Sequence, residues 1–209
     1  MSTQHICDLD HELNDFQKKK LLFVFSVFFD INRDGVIEKS DFDLALEKIA
    51  GIHKWGKSDN KYTIAKSTLG SIWNLLRSKA DANQDDIVTQ SEWFLMWSES
   101  ISHYKCHHNH EDVKEPCDKE AMPDWEKKFM QFMFDVIDIS GDGIIDEIEF
   151  LTFFKVYDFT ETECKIAFSN LTNNKKVKID REMYRKFWRQ YFLGNVQEEP
   201  GNWIFCSHL

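Results

Sequence analysis

Apolar residues along this chain recur at helical spacing, and short stretches dense in Asp, Asn and Glu interrupt them. From about Phe16 a stripe runs through Leu22, Phe25 and Phe29. Phe42, Ala45, Leu46 and Ile49 form the next, then Ile72, Trp73, Leu76 and Ala80, then Trp93, Met96 and Trp97. The second half repeats the theme with Met130, Met133, Phe134 and Ile137, followed by Phe150, Phe153, Phe154 and Tyr157. Cys164, Ala167, Phe168 and Leu171 come next, and Tyr184, Phe187, Trp188 and Tyr191 come last. Recurrence at i, i+3 and i+4 marks amphipathic helices that each bury one face. Gly51 is expected to end the second helix, with a loop over 51–61 and a helix over about 63–80. Pro123-Asp124 suits a helix start, and Thr160 suits an N-cap. The pattern predicts an all-α fold of helix–loop–helix units in two pairs, over 12–100 and 122–193. A polar linker is expected at 101–121 and a tail at 194–209.

The polar interruptions carry the chemistry. In Asp138 to Glu149, oxygen side chains stand at loop positions 1, 3, 5, 9 and 12 as Asp138, Ser140, Asp142, Asp146 and Glu149. Ile144 offers its carbonyl at position 7, Ile145 fills position 8, and Gly143 stands at position 6. Ca²⁺ takes six to eight oxygen ligands at about 2.3–2.6 Å, and the loop must turn at position 6 with φ > 0, where Gly is least strained. This spacing is that of an EF-hand calcium loop. Asp30 to Asp41 repeats it with Asp30, Asn32, Asp34, Gly35, Val36 and Glu38, but position 12 is Asp41, one methylene shorter than Glu. A shorter arm favours six ligands over seven, so Mg²⁺ joins Ca²⁺ as a candidate at this first loop. Asp81 to Glu92 supplies Asp81, Asn83, Asp85, Ile87 and Glu92, with Asp86 in place of the position 6 glycine. That predicts binding at a cost in backbone strain. Three Ca²⁺ sites are therefore expected. A fourth loop, 172–183, keeps Ile179 at position 8 but has Lys176 at position 5 and Met183 at position 12. It is expected to bind no metal and to serve packing, with Ile145 pairing Ile179 as Ile37 pairs Val88.

Charge and composition narrow the function. The 209 residues carry 26 Lys and Arg against 36 Asp and Glu, a formal charge of −10, with 18 Phe and 7 Trp. Such an acidic balance argues against a nucleic-acid partner and for cations. The start of the chain is polar and shows no signal peptide. The longest apolar run, Leu21 to Phe29, falls far short of the roughly twenty residues a membrane span needs. Five scattered cysteines fit reduced thiols in the cytoplasm better than a disulfide framework. His103, Cys106, His107, His108, His110 and Cys117 offer soft donors for Zn²⁺ or Cu²⁺, although their spacing matches no standard framework. No phosphate-binding loop occurs, Asn174-Lys175-Lys176 lacks the rest of a guanine site, and no catalytic constellation is visible. An enzyme, including a Ca²⁺-regulated GTP-binding protein, is therefore not the expected reading.

Several segments together resemble a known family. They are Phe16-Gln17-Lys18, the first loop ending in Asp, Trp93 and Trp97, Met122-Pro123-Asp124-Trp125, Phe132-Met133-Phe134-Asp135 before the third loop, and Gly201-Asn202 with Phe205 in the tail. The chain resembles the invertebrate sarcoplasmic calcium-binding proteins, and within them the calexcitin branch, from about residue 12 to 205. The resemblance implies a compact fold of four EF-hands with three active sites. It also implies a cytoplasmic, neuronal calcium protein that signals at a membrane or channel target, with a calcium buffer of sarcoplasmic type as the alternative; a monomer is expected. Trp203, Ile204 and Phe205 are expected as a short extended piece docked between the halves, burying apolar surface worth about 2 kcal/mol each.

Overall fold

Asn14 opens the first helix. Its side chain accepts the Gln17 amide at 2.8 Å while Gln17 Oε1 accepts the Asn14 amide at 3.2 Å, a reciprocal cap. The computed structural model describes residues 13–108 and 122–206. In chain order they form α1 (Asp15–Val24), a π-helical turn (Phe25–Phe29), β1 (Val36–Ile37), α2 (Lys39–His53), α3 (Asn60–Ala80), β2 (Val88–Thr89) and α4 (Gln90–His108). Then come α5 (Asp124–Ile137), β3 (Ile144–Ile145), α6 (Glu147–Lys155), α7 (Glu161–Leu171), β4 (Ile179–Asp180), α8 (Arg181–Leu193) and a 3-10 turn (Pro200–Trp203). The fold is all-α apart from two antiparallel two-residue ladders.

Those ladders join the loops in pairs, in the register that the repeat predicts. Ile37 lies opposite Val88, and Ile145 opposite Ile179. All four side chains are buried, so each ladder closes the end of a hydrophobic layer as well as tying two loops together. The fourth hand holds its place through this contact and through Met183, which packs against the core. A side chain that would have been a ligand at position 12 is here an apolar one.

One continuous core runs through both halves. Phe29 of the first hand reaches Trp93 of the second at 5.1 Å between ring centroids, and Phe129 of the second half at 4.7 Å. Trp97 stacks on Phe192 at 4.6 Å, and α3 lies along α5. His53 Nε2 also meets the Val136 carbonyl at 2.9 Å. That anchor, with the stacked Trp55 ring, carries α2 past Gly51. The helix ends instead at Lys54, in the left-handed region at φ 56°. Helix α4 likewise continues to His108, beyond residue 100 where the polar composition suggests a linker. The rest of that linker, the side chains of His103, Cys106, His107 and His108, and both His110 and Cys117 lie outside what the structure describes.

Two further departures from the sequence pattern have local causes. Leu22, placed on the inner stripe by the sequence, is 39% exposed. Leu21, Val24, Phe25 and Phe28 form the inner i, i+3, i+4, i+7 face, and the π turn adds Phe29 to it. The tail is not extended. Pro200 starts a 3-10 turn, and Gly201 lies so close to α8 that a Cβ would overlap the Phe187 carbonyl oxygen. The turn delivers Ile204 and Phe205 into the core, where the Phe205 ring meets Phe28, Trp188 and Tyr191, while Trp203 stays half-buried. Among the described residues no helix is long and apolar enough to cross a membrane.

Glu126 is fully enclosed at the start of α5, and its carboxyl accepts the Trp188 indole N–H at 2.9 Å. Burial pushes its pKa up to about 8, against the smaller opposing effects of that bond and of Arg189. The folded state therefore binds a proton that the unfolded chain releases above its ordinary value near 4.3. Stability from this group is present below about pH 4.3 and is lost as pH rises through about 8, at up to roughly 1.4 kcal/mol per pH unit. Glu126→Gln keeps the acceptor and removes the titration. Melting curves between pH 5 and 8 should be flatter for that variant, which should melt higher than the parent at pH 8.

Candidate metal centres

Each acidic loop leaves its entering helix at a residue whose carboxylate folds back over the loop's own amides. Asp30 accepts the Asp34 amide on Oδ1 and the Gly35 amide on Oδ2, both at 3.0 Å. Asp81 accepts those of Asp85 and Asp86 at 3.2 and 3.0 Å. Asp138 accepts those of Gly141 and Gly143 at 2.9 and 3.0 Å. Position 5 then turns inward. Asp34 Oδ1 accepts the Val36 amide at 3.1 Å, Asp85 Oδ1 accepts that of Ile87 at 3.0 Å, and Asp142 Oδ1 accepts that of Ile144 at 2.9 Å. Asn32 and Asn83 each donate an amide N–H to the position 5 carboxylate, at 2.8 and 2.9 Å. Ser140 Oγ lies 3.5 Å from Asp138 Oδ1.

The carboxylate at position 12 closes each loop. Glu149 accepts the Ser140 amide at 2.8 Å and the Asp146 amide at 3.0 Å. Asp41 bridges Asn32 and Glu38 at 3.1 and 2.9 Å, so the shorter arm still spans its loop. Glu92 bridges Ala82 at 3.2 Å and Thr89 at 2.9 Å, and also accepts the Thr89 hydroxyl at 2.8 Å. Thr89 is absent from the ligand pattern read in the sequence, yet Thr89-x-x-Glu92 is a helix-capping signature visible there. Val36 and Ile144 sit in β1 and β3, and Ile87 immediately precedes β2.

Backbone conformation separates these loops from the fourth. Positions 4 and 6 are left-handed in each of the three: Arg33 and Gly35, Gln84 and Asp86, Gly141 and Gly143. Asp86 takes φ 67° without being glycine, and its carboxylate pairs with Arg77. In the fourth loop the left-handed residues are Asn173, Asn174 and Lys175. There the Thr172 carbonyl, in place of an aspartate, takes the Lys176 and Val177 amides at 2.9 Å. Lys175 pairs with Glu147 of the third hand.

Electrostatics differ among the loops. Asp30, Asp41, Asp138 and Glu149 are buried, whereas Asp81 and Glu92 are half-buried. Burial raises the Asp41 pKa. The Glu38 and Asn32 amides oppose that rise, and the like charges of Asp30 and Asp34 add to it. For Glu92 burial also acts upward, but the bonds from Thr89 and Ala82 outweigh it and leave the pKa lowered. Among the described residues no three His, Cys, Asp or Glu side chains converge as a preformed ligand cluster. The donor set of each loop is instead mixed, combining carboxylates with an amide or hydroxyl and a backbone carbonyl. An all-oxygen set of this kind fits a hard divalent cation, not a thiophilic one.

Known proteins share this fold. No protein-family model matches the chain. The sarcoplasmic calcium-binding proteins I, III and IV of Branchiostoma lanceolatum are 31% identical over 190 residues, covering 91% of this chain and 96% of theirs. Calexcitin-1 of Caenorhabditis elegans is 28% identical over 209 residues, covering 98% and 93%. The solved structure of a sarcoplasmic calcium-binding protein from amphioxus superposes with a TM-score of 0.72 at 28% identity, covering 94% of this chain and 99% of that one. Paired hands, a shared core and that identity across nearly the full length agree, and the chain belongs to the sarcoplasmic calcium-binding protein family.

Proposed function

We propose that this protein is a cytoplasmic Ca²⁺-binding protein with three working sites. Asp30, Asn32, Asp34, Val36 and Asp41 would hold the first ion. Asp81, Asn83, Asp85, Ile87 and Glu92 would hold the second, and Asp138, Ser140, Asp142, Ile144 and Glu149 the third. The observation that carries this reading is the position 12 carboxylate, which spans each of the three loops and is replaced by Met183 in the fourth. The similarity to sarcoplasmic calcium-binding proteins and a calexcitin supports the choice of ion. Calorimetric titration with Ca²⁺ tests it: three ions per chain are expected, and a fourth ion bound at 172–183 would overturn the assignment.

The sites should not be equal. The third combines Gly143 with the longer Glu149 arm and should be the most selective for Ca²⁺ over Mg²⁺. The second carries its strain at Asp86 and its end carboxylates half-exposed, so it should be the weakest. At the first, Asp41 favours six ligands and admits Mg²⁺. Asp41→Glu should weaken Mg²⁺ competition there by roughly tenfold, the scale on which ligand number and rigidity tune such loops. Repeating the titration in millimolar Mg²⁺ checks this, and unchanged competition would contradict the ligand-length argument.

For the mode of action we propose a core that stays closed when Ca²⁺ binds, as in a buffer, over a sensor that opens, a reading that rests on the docked tail. Met96, Met130 and Met133 are buried, and Phe205 seals the same core. An opening sensor would expose such a methionine surface on Ca²⁺ binding, whereas buffer hands barely move. Binding of an environment-sensitive apolar dye should therefore stay low with and without Ca²⁺. A large Ca²⁺-driven rise in dye fluorescence would instead support signalling at a membrane or protein target.

A further inference from the structure

Two cysteines far apart in sequence meet inside the core. Cys164 lies in α7 and Cys206 follows the 3-10 turn; their Sγ atoms are 3.2 Å apart, and both residues are buried. A disulfide needs about 2.05 Å between sulfurs, so closing the bond takes a shift of about 1.2 Å (3.2 less 2.05). The backbone supplies a second, separate observation. Cys206 sits at φ 61°, in the left-handed region that normally goes to Gly after a helical turn. A strained conformation of this kind persists only where the surroundings fix it. Here buried Ile204 and Phe205 immediately precede it, and its own amide bonds to the Trp203 carbonyl at 3.0 Å. The strained backbone holds the sulfur against α7.

We propose that Cys164 and Cys206 are a reversible disulfide site that locks the tail onto α7, oxidised by a small-molecule disulfide such as oxidised glutathione. Burial raises the pKa of both thiols, and contact with Cys164 raises that of Cys206 further. With the tail docked, both sulfurs are protonated and shielded, so reaction begins when the tail lifts and Cys206 meets solvent. Its thiolate, having given its proton to water, attacks one sulfur of oxidised glutathione; a protein–glutathione bond forms and one glutathione thiolate leaves. When the tail returns, Cys164 gives up its proton and attacks the Cys206 sulfur, expelling the second glutathione thiolate. Two protein thiols are oxidised to one disulfide, one glutathione disulfide is reduced to two thiols, and the two released protons end on them. The oxidised chain can no longer lift its tail on its own, and a thiol reverses the lock when wider opening of the core exposes the disulfide.

The test uses the full chain with Cys7, Cys106 and Cys117 each changed to Ser, incubated with oxidised glutathione under native conditions. Free thiols are then alkylated and the protein is digested without reductant. Mass spectrometry should find one peptide joining residues 164 and 206, two hydrogens lighter than the separate thiol peptides and split by dithiothreitol. The linked protein should melt several degrees higher than the reduced one. Adding Cys164→Ala should leave Cys206 as a persistent glutathione adduct, because no partner remains to resolve it. The proposal is overturned if both thiols remain alkylatable, if the adduct persists while Cys164 is present, or if the linked form melts no higher. Mapping the same peptide in the unsubstituted chain gives the answer should the serine variant fold poorly.

Discussion

Chelation of calcium should lower the melting temperature of this protein by roughly 15–30 °C. Each site held at a hundred times its dissociation constant adds about 2.7 kcal/mol to stability, so three add about 8 kcal/mol. A chain of this size shifts by about 2–4 °C per kcal/mol. The molecular cause is like charge at close range. Asp41 already has its pKa raised by burial, with Asp30 and Asp34 adding to the rise, and a divalent cation replaces that repulsion with attraction. Glu149→Gln should delete about a third of the effect. The amide retains an acceptor for Ser140 or Asp146 but loses the charge and the two-oxygen grip on the ion. Calorimetry should then count one ion fewer than the three proposed for the parent. An unchanged melting temperature after chelation would contradict the assignment of all three sites.

Lys20→Met should lower stability by about 2–4 kcal/mol, because three carbonyl acceptors lose a charged donor. Lys20 is 1% exposed, and its ammonium donates to the Gly194 carbonyl at 2.8 Å, to Asn202 Oδ1 at 3.2 Å and to the Gln190 carbonyl at 3.4 Å. Its own carbonyl accepts the Tyr191 hydroxyl at 3.0 Å, and the Phe16 and Tyr191 rings flank the charge. This one side chain ties α1 to the end of α8 and to the tail. Burial pulls its pKa down to about 8, with Glu199 acting weakly the other way. The folded chain then binds fewer protons than the unfolded one between about pH 8 and 10.4. The penalty for burying the charge is present below about pH 8 and is relieved as pH rises through that window. Urea titrations should show the parent gaining stability from this group between pH 8 and 10, and the Met variant lacking that gain. Equal midpoints for the two proteins at pH 7 would remove Lys20 from its role.

The sequence shows most where the physics is local. Helix phases follow from i, i+3 and i+4 recurrence, and Thr160 caps α7 through a reciprocal bond with Glu163 because the two residues of the motif stand only three apart on the chain. The ladder register follows from the repeat, since position 8 of each loop must face its counterpart. Contacts between distant segments leave no such trace. Nothing near Lys20 in the sequence marks Gly194 or Asn202 as its partners, and nothing near Cys164 points to Cys206. Pro200 and Gly201 disfavour an α-helix and so suggest an extended tail; a 3-10 turn satisfies both, with Pro at its start and Gly against α8. Helix α4 runs on into the expected linker because Ser, His and Lys are poor markers of a helix end. Before Pro116 the stretch contains neither Gly nor Pro to stop it. At the loops, residue types and positions are legible, whereas the part played by Thr89 and the Arg77–Asp86 pair depends on how the loop folds.

The π turn ahead of the first loop has a consequence for how chain length can vary. Asp81, Asp138 and Thr172 each bond their amide to the carbonyl four residues back, at Arg77, Phe134 and Phe168. Asp30 reaches five back, to Phe25, at 2.8 Å. The first hand therefore carries one residue more than its three counterparts between the helix and its first loop residue, and that residue is absorbed as a wider coil. Deleting solvent-facing Ser26 should tighten the turn to ordinary α-helix and leave Asp30 in the same four-back register as the other hands. The same deletion in α5 has no slack to draw on and would rotate Asp138 by about 100° away from its loop. Tolerance of a one-residue deletion should thus be concentrated in residues 25–29, and sequence alignments of the four hands need a one-residue gap there.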